Sequence, residues 1–140
     1  MEHLFASGTY RGEGRWIDQK TEGQYRAQYK IVDGQDGSKV HEVERLFLKP
    51  DGTVAYEERT IVTFEPSARS GILVRIRGTQ GDVTGPGYAF DRECHYDIDV
   101  TLDNHLEFTF RAEGANLTGI GSATNKGNRT YWKESLARVK

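Results

Sequence analysis

Apolar and polar residues alternate along most of this chain with a period of two. In Gly8-Thr9-Tyr10-Arg11-Gly12-Glu13-Gly14-Arg15-Trp16 the even positions are aromatic or bare and the odd ones are hydroxylic or charged. That pattern marks a strand with one face turned to a core. Glycines weaken a strand, so the three here suggest a sharp bend or a surface that another group approaches closely. Tyr25, Ala27, Tyr29 and Ile31, opposite Arg26, Gln28 and Lys30, form a second strand that stops at the turn signal Asp33-Gly34-Gln35-Asp36-Gly37. Lys39–Leu48 is a third. One register turns Val40, Glu42, Glu44, Leu46 and Leu48 inward, the other His41, Val43, Arg45 and Phe47, and a slip of one residue converts them. Lys49-Pro50-Asp51-Gly52 then closes a hairpin.

The fourth strand puts Val54, Tyr56, Val62 and Phe64 on one face, with Glu58 and Thr60 in the same register. Ile72, Val74 and Ile76 alternate with Leu73, Arg75 and Arg77 in a fifth. Gly85-Pro86-Gly87 predicts that a sixth strand, over 83–90, is short, bulged or at an edge. Cys94, Tyr96, Ile98, Val100 and Leu102 make the cleanest alternation, followed by Leu106, Phe108, Phe110 and Ala112, then 117–122, and a last strand over 130–139. Ten strands joined by links too short for parallel crossovers imply antiparallel, up-and-down order. The expected fold is all-β, a single domain over 1–140 that closes into a barrel and so leaves no free edges. A Greek-key sandwich is the alternative.

Composition narrows the function classes. The 140 residues are 36% hydrophobic and 11% aromatic, with 16 glycines against 3 prolines, which suits many short strands and tight turns. Nineteen basic and 21 acidic residues leave a net charge of −2 and no basic stripe, so no nucleic-acid partner is expected. The start Met1-Glu2-His3-Leu4-Phe5-Ala6 lacks the basic and apolar regions of a secretion signal, and no 18-residue apolar run occurs, so a soluble, cytoplasmic protein with no membrane partner is expected. The single cysteine, Cys94, fits a reducing compartment. Without a secretion signal, Asn116-Leu117-Thr118 and Asn128-Arg129-Thr130 are chance matches to a glycosylation acceptor. The oligomeric state is not legible.

No strong catalytic motif is present. Cys94 and His95 are adjacent on a strand and therefore face opposite ways. His95, Asp97 and Asp99 share a face, but one that the apolar residues opposite place outside, so no metal site is expected there. Polar residues on apolar faces are more informative. A carboxylate turned inward at Glu58 must be paired, hydrated or protonated, and a regular hairpin sets Arg45 opposite it. An Arg45–Glu58 pair, lining an interior with Tyr25, Tyr29, Tyr56, Tyr88 and Tyr96 and with Trp16 and Phe108, is the expected ligand-binding surface. Gly119 and Gly121 leave one wall bare, as a ligand portal or a tight bend would. The function that follows is binding of a small amphipathic or aromatic molecule with no catalytic residue, metal or cofactor. The alternative is acid-base catalysis in the same cavity by Glu58, His41 or His95.

The segment Gly8-Thr9-Tyr10-Arg11-Gly12-Glu13-Gly14 resembles the opening strand of the calycin-type barrels, which include lipocalins and fatty-acid-binding proteins. It is most similar to the nitrobindin branch, whose first strand reads Gly-Thr-Trp-x-Gly-x-Gly. Tyr10 stands where that branch has tryptophan, and Gly14-Arg15-Trp16 supplies a second Gly-x-Trp. The resemblance implies that an arginine of the last strand, here Arg138, stacks across Tyr10 or Trp16 and plugs one end. It also implies haem held by a histidine on the last strand. This chain has Tyr131-Trp132-Lys133-Glu134-Ser135 there, and its histidines are His3, His41, His95 and His105, so haem is not expected.

Overall fold

The computed structural model describes residues 5–68, 71–78 and 81–139. Ten strands follow one another: β1 (Gly8–Ile17), β2 (Glu22–Asp33), β3 (Lys39–Leu48), β4 (Val54–Pro66), β5 (Gly71–Gly78), β6 (Gly81–Phe90), β7 (Glu93–Thr101), β8 (Asn104–Glu113), β9 (Asn116–Asn125) and β10 (Asn128–Val139). Each pairs antiparallel with its neighbours in sequence, and β1 pairs with β10 from Thr9↔Val139 to Ile17↔Tyr131 to close the barrel. The sandwich alternative is thereby excluded. Closure follows from the pattern, because an open meander would leave two rows of unpaired backbone groups.

The core is the inner row of each strand. Tyr10, Tyr25, Tyr29, Phe64, Phe108 and Phe110 are buried there with Val74, Ile98, Leu117 and Leu136. Packing is graded along the barrel axis. On β4 the inward positions pass from buried Phe64 and Val62, through half-buried Thr60 and Glu58, to exposed Tyr56. On β8 Phe110 and Phe108 are buried and Leu106 is half-buried, and on β10 Leu136 and Glu134 are buried and Trp132 is half-buried. One end is therefore filled with side chains, while the end that carries Trp16, Phe47, Tyr56 and Trp132 is only partly covered.

Two inward glycines explain how the aromatic rings fit. A Cβ at Gly121 would lie 2.4 Å from the Trp132 indole, and one at Gly119 would lie 2.6 Å from the Phe108 ring. The bare wall on β9 is thus covered by rings laid flat across it, and it is not a portal. Strand β6 also departs from expectation. It runs for ten residues inside the barrel with both neighbours paired, and Pro86 faces outward opposite Leu73. The ladder between β6 and β7 covers only Gly87–Phe90, ending beside the residue that has no N–H to donate.

Candidate functional site

The register of β3 turns His41, Val43, Arg45 and Phe47 inward, where they meet Val62, Thr60, Glu58 and Tyr56 of β4. Arg45 thus lies directly opposite Glu58, as the hairpin argument requires. The guanidinium nevertheless reaches past β2 and β1 to a different carboxylate. Its Nε and Nη2 donate to Glu134 Oε1 at 3.2 and 3.1 Å, and Nη2 also donates to the Tyr29 hydroxyl at 2.7 Å. The Tyr25 hydroxyl donates to Glu134 Oε1 at 2.8 Å, and the Tyr29 hydroxyl donates to Oε2. Glu58 meets only Nη1, at 3.6 Å, and its side chain is 43% exposed. The expected pair exists, but it is the outer and looser half of a network centred on Glu134.

Glu134 is 1% exposed. A buried carboxylate is tolerable only when its lone pairs are taken, and here four donor atoms converge on two oxygens. Burial works against the Arg45 charge, but Glu134, Tyr29, Tyr25 and Glu58 outweigh it and hold the guanidinium pKa well above its ordinary value. Burial, with the neighbouring Glu134 charge, raises Tyr25; burial raises Tyr29 as well, so both stay protonated donors. Arg45 also stands 5.9 and 5.6 Å from the centroids of the Tyr25 and Tyr29 rings.

Strand β1 makes this arrangement possible. Gly14 lies between Glu134 on β10 and Tyr25 on β2 in one row across the inner wall. A Cβ at Gly14 would fall 2.1 Å from Tyr25 Cζ, so only a bare residue lets the tyrosine cross β1 to the carboxylate. The close approach expected for this strand is that of a ring. Gly14→Ala should cost about 1–3 kcal/mol by overpacking and by displacing the Tyr25 hydroxyl. Urea denaturation checks this, and a G14A protein as stable as wild type would contradict it.

The other nominated residues divide by height and face. Tyr96 and Phe108 are buried in the interior and stack on each other at 5.8 Å. Trp16 is half-buried at the open end, and Tyr56, 59% exposed, stacks on Phe47 at 4.6 Å. Tyr88 is a correction: it lies on the outer wall, stacked on Phe90 and tilted against His95. The inward residues of β6 are instead Val83, Gly85, Gly87 and Ala89, small because Ile98 and Tyr96 fill the space against the two glycines. The Arg138 plug is also overturned. That guanidinium is exposed, donates to the Ser7 carbonyl at 2.6 Å and lies over Gly8, and cation–ring contacts among the described residues involve Arg45 and Arg129 only.

The three groups nominated for acid-base chemistry do not converge. Glu58 is at the open end, and His95 is on the outer wall beside the Thr109 hydroxyl at 2.8 Å. His41 is wholly buried at the filled end, between Phe5 at 4.4 Å and Phe64 at 4.6 Å, and neither ring nitrogen has a hydrogen-bond partner among the described residues. A cleft of about 350 Å³ lies outside the interior, between the β1–β2 and β9–β10 turns, lined by Asp18, Gln19, Lys20, Lys126, Gly127 and Asn128.

Fold and site together define a ten-stranded antiparallel barrel with an ionic floor beneath a partly open aromatic end. No family model matches the sequence, and no curated protein matches it significantly.

Proposed function

We propose that this barrel is a non-enzymatic binder of a small amphipathic or aromatic molecule that enters at the open end. The carrying observation is that the edges of Arg45 are held unequally. Nε and Nη2 are committed to Glu134 and Tyr29, whereas Nη1 faces the open end and meets only the half-exposed Glu58 among the described residues. A donor whose present acceptor is loosely held is available to the polar end of a ligand, and Phe47, Tyr56, Trp16 and Trp132 supply surface for its apolar part. The ten-strand, up-and-down closure of β1 on β10 agrees with a calycin-like assignment. The charged outward residues of β1 and β2, among them Arg11, Glu13, Arg15, Arg26 and Lys30, suit water rather than lipid around the wall.

Native mass spectrometry of freshly purified protein tests this reading directly, with a co-purified small molecule as the expected result. A titration with anilinonaphthalene sulfonate, an aromatic anion, should saturate at one equivalent. Tyr56→Ala should weaken it by about 5–10-fold through the lost ring contact. The absence of both a co-purified mass and saturable dye binding would sink the proposal.

A further inference from the structure

On the outer wall between β7 and β8, four side chains unconnected with the interior network converge. Asp97 stands directly opposite Glu107 in the ladder, and Asp99 directly opposite His105. Two like charges face to face on paired strands repel each other, so Asp97 and Glu107 are unfavourable neighbours unless a cation lies between them. Elsewhere on the wall arginines neutralise the carboxylates. Arg59 bridges Glu44 and Glu57, Arg75 meets Glu65, Arg77 meets Asp82, and Arg111 meets Glu113. Asp97, Asp99 and Glu107 have no lysine or arginine partner among the described residues, and His105 is their common contact.

The imidazole is also aimed. His105 Nδ1 lies 2.7 Å from Asp99 Oδ1, which fixes the ring so that Nε2 points at the opposed pair, 2.6 Å from Asp97 Oδ1 and 3.5 Å from Glu107 Oε1. A carboxylate that holds the far nitrogen of a histidine while the near one faces further ligands is the usual arrangement around protein-bound zinc. The three near atoms lie within 4.8 Å of one another. Tetrahedral zinc with bonds near 2.1 Å needs its ligand atoms about 3.4 Å apart, so small rotations of exposed side chains suffice. On the β9 side, Ser122 and Thr124 pair with Glu107 and His105, so short hydroxyl side chains flank the cluster.

We propose that Asp97, His105 and Glu107 bind a divalent transition-metal cation of the zinc type on the outer wall, with Asp99 orienting the histidine. One nitrogen and two carboxylate oxygens favour zinc over calcium, which prefers six or more oxygens. Three protein ligands leave a fourth position for water. The site is separate from the barrel interior, and its failure would leave the binding proposal above untouched.

Zinc chloride titrated calorimetrically into chelator-treated full-length protein should give one bound equivalent, and cobalt(II) should give the strong visible bands of a tetrahedral complex. His105→Ala, Asp97→Asn and Glu107→Gln should each weaken zinc by at least about tenfold, and Asp99→Asn by about tenfold through the lost orientation. His95→Ala, on the same wall but bonded to Thr109, should change nothing. The proposal is overturned if wild-type protein takes up no zinc, if H105A binds it as tightly as wild type, or if calcium competes with it on equal terms. The positions are on the surface, so matching circular dichroism spectra establish that the variants fold.

Discussion

Arg45→Met should destabilise the barrel by about 3–5 kcal/mol, because it strands the Glu134 carboxylate in the interior with only the two tyrosine hydroxyls for company. Glu134→Gln in the same chain should recover most of that loss, since an amide carries no charge to strand, its oxygen accepts from one tyrosine hydroxyl and its NH2 donates to the other. Glu58→Gln should cost less than about 1 kcal/mol, as a long contact to a half-exposed carboxylate is weak. Guanidinium denaturation with a constant slope and shifted midpoints would measure all three. The account of the network fails if R45M is as stable as wild type, or if E58Q costs as much as R45M.

Acidification should destabilise the native state through His41 in a window set by its burial. Burial, with the charge of nearby Lys39, lowers this imidazole from 6.5 to about 3. Around it are Phe5, Phe64 and Phe110, which do not titrate, and Tyr29, which burial keeps protonated. Lys39 is itself buried and paired with Asp33. Between pH 6.5 and about 3 the unfolded chain takes up a proton at this position and the native chain does not, so stability falls as pH falls. The slope approaches about 1.4 kcal/mol per pH unit, amounting to roughly 5 kcal/mol over the window. Carboxylates add their own acid sensitivity, so the informative quantity is the difference between wild type and His41→Phe. The variant should lack this component, and parallel stability-against-pH curves for the two proteins would refute the assignment. At neutral pH the same substitution removes two buried nitrogens that have no hydrogen-bond partner among the described residues.

The polar centre of the site was only half legible in the sequence, for a reason specific to Glu134. Glu58 stands out in the sequence because it shares a face with Tyr56 and Val62, and the same argument applies to Glu134 between Trp132 and Leu136. The signal is present on β10, but local pairing rules reach only across the nearest hairpin, whereas Arg45 and Glu134 are 89 residues apart in the chain. Tyr88 failed for the opposite reason. Aromatic residues read as core, yet on β6 the glycines of the inner row belong to the core and the rings stand outside. On the outer wall the alternation groups Asp97 and Asp99 with His95 and predicts no metal site among those three. His105 arrives from the neighbouring strand, in the register that β8 adopts against β7.

Alternation, turn residues and link lengths by themselves determine ten strands in antiparallel, up-and-down order, because each is a local property of a few consecutive residues, whereas the choice of a closed barrel over a sandwich is made by the pairing of β1 with β10. Only the tertiary structure decided which register β3 adopts, which carboxylate Arg45 grips, and which glycines lie beneath rings. Those outcomes depend on how far the strands stagger around the closed wall, and that stagger is set when residues distant in sequence fill one shared interior.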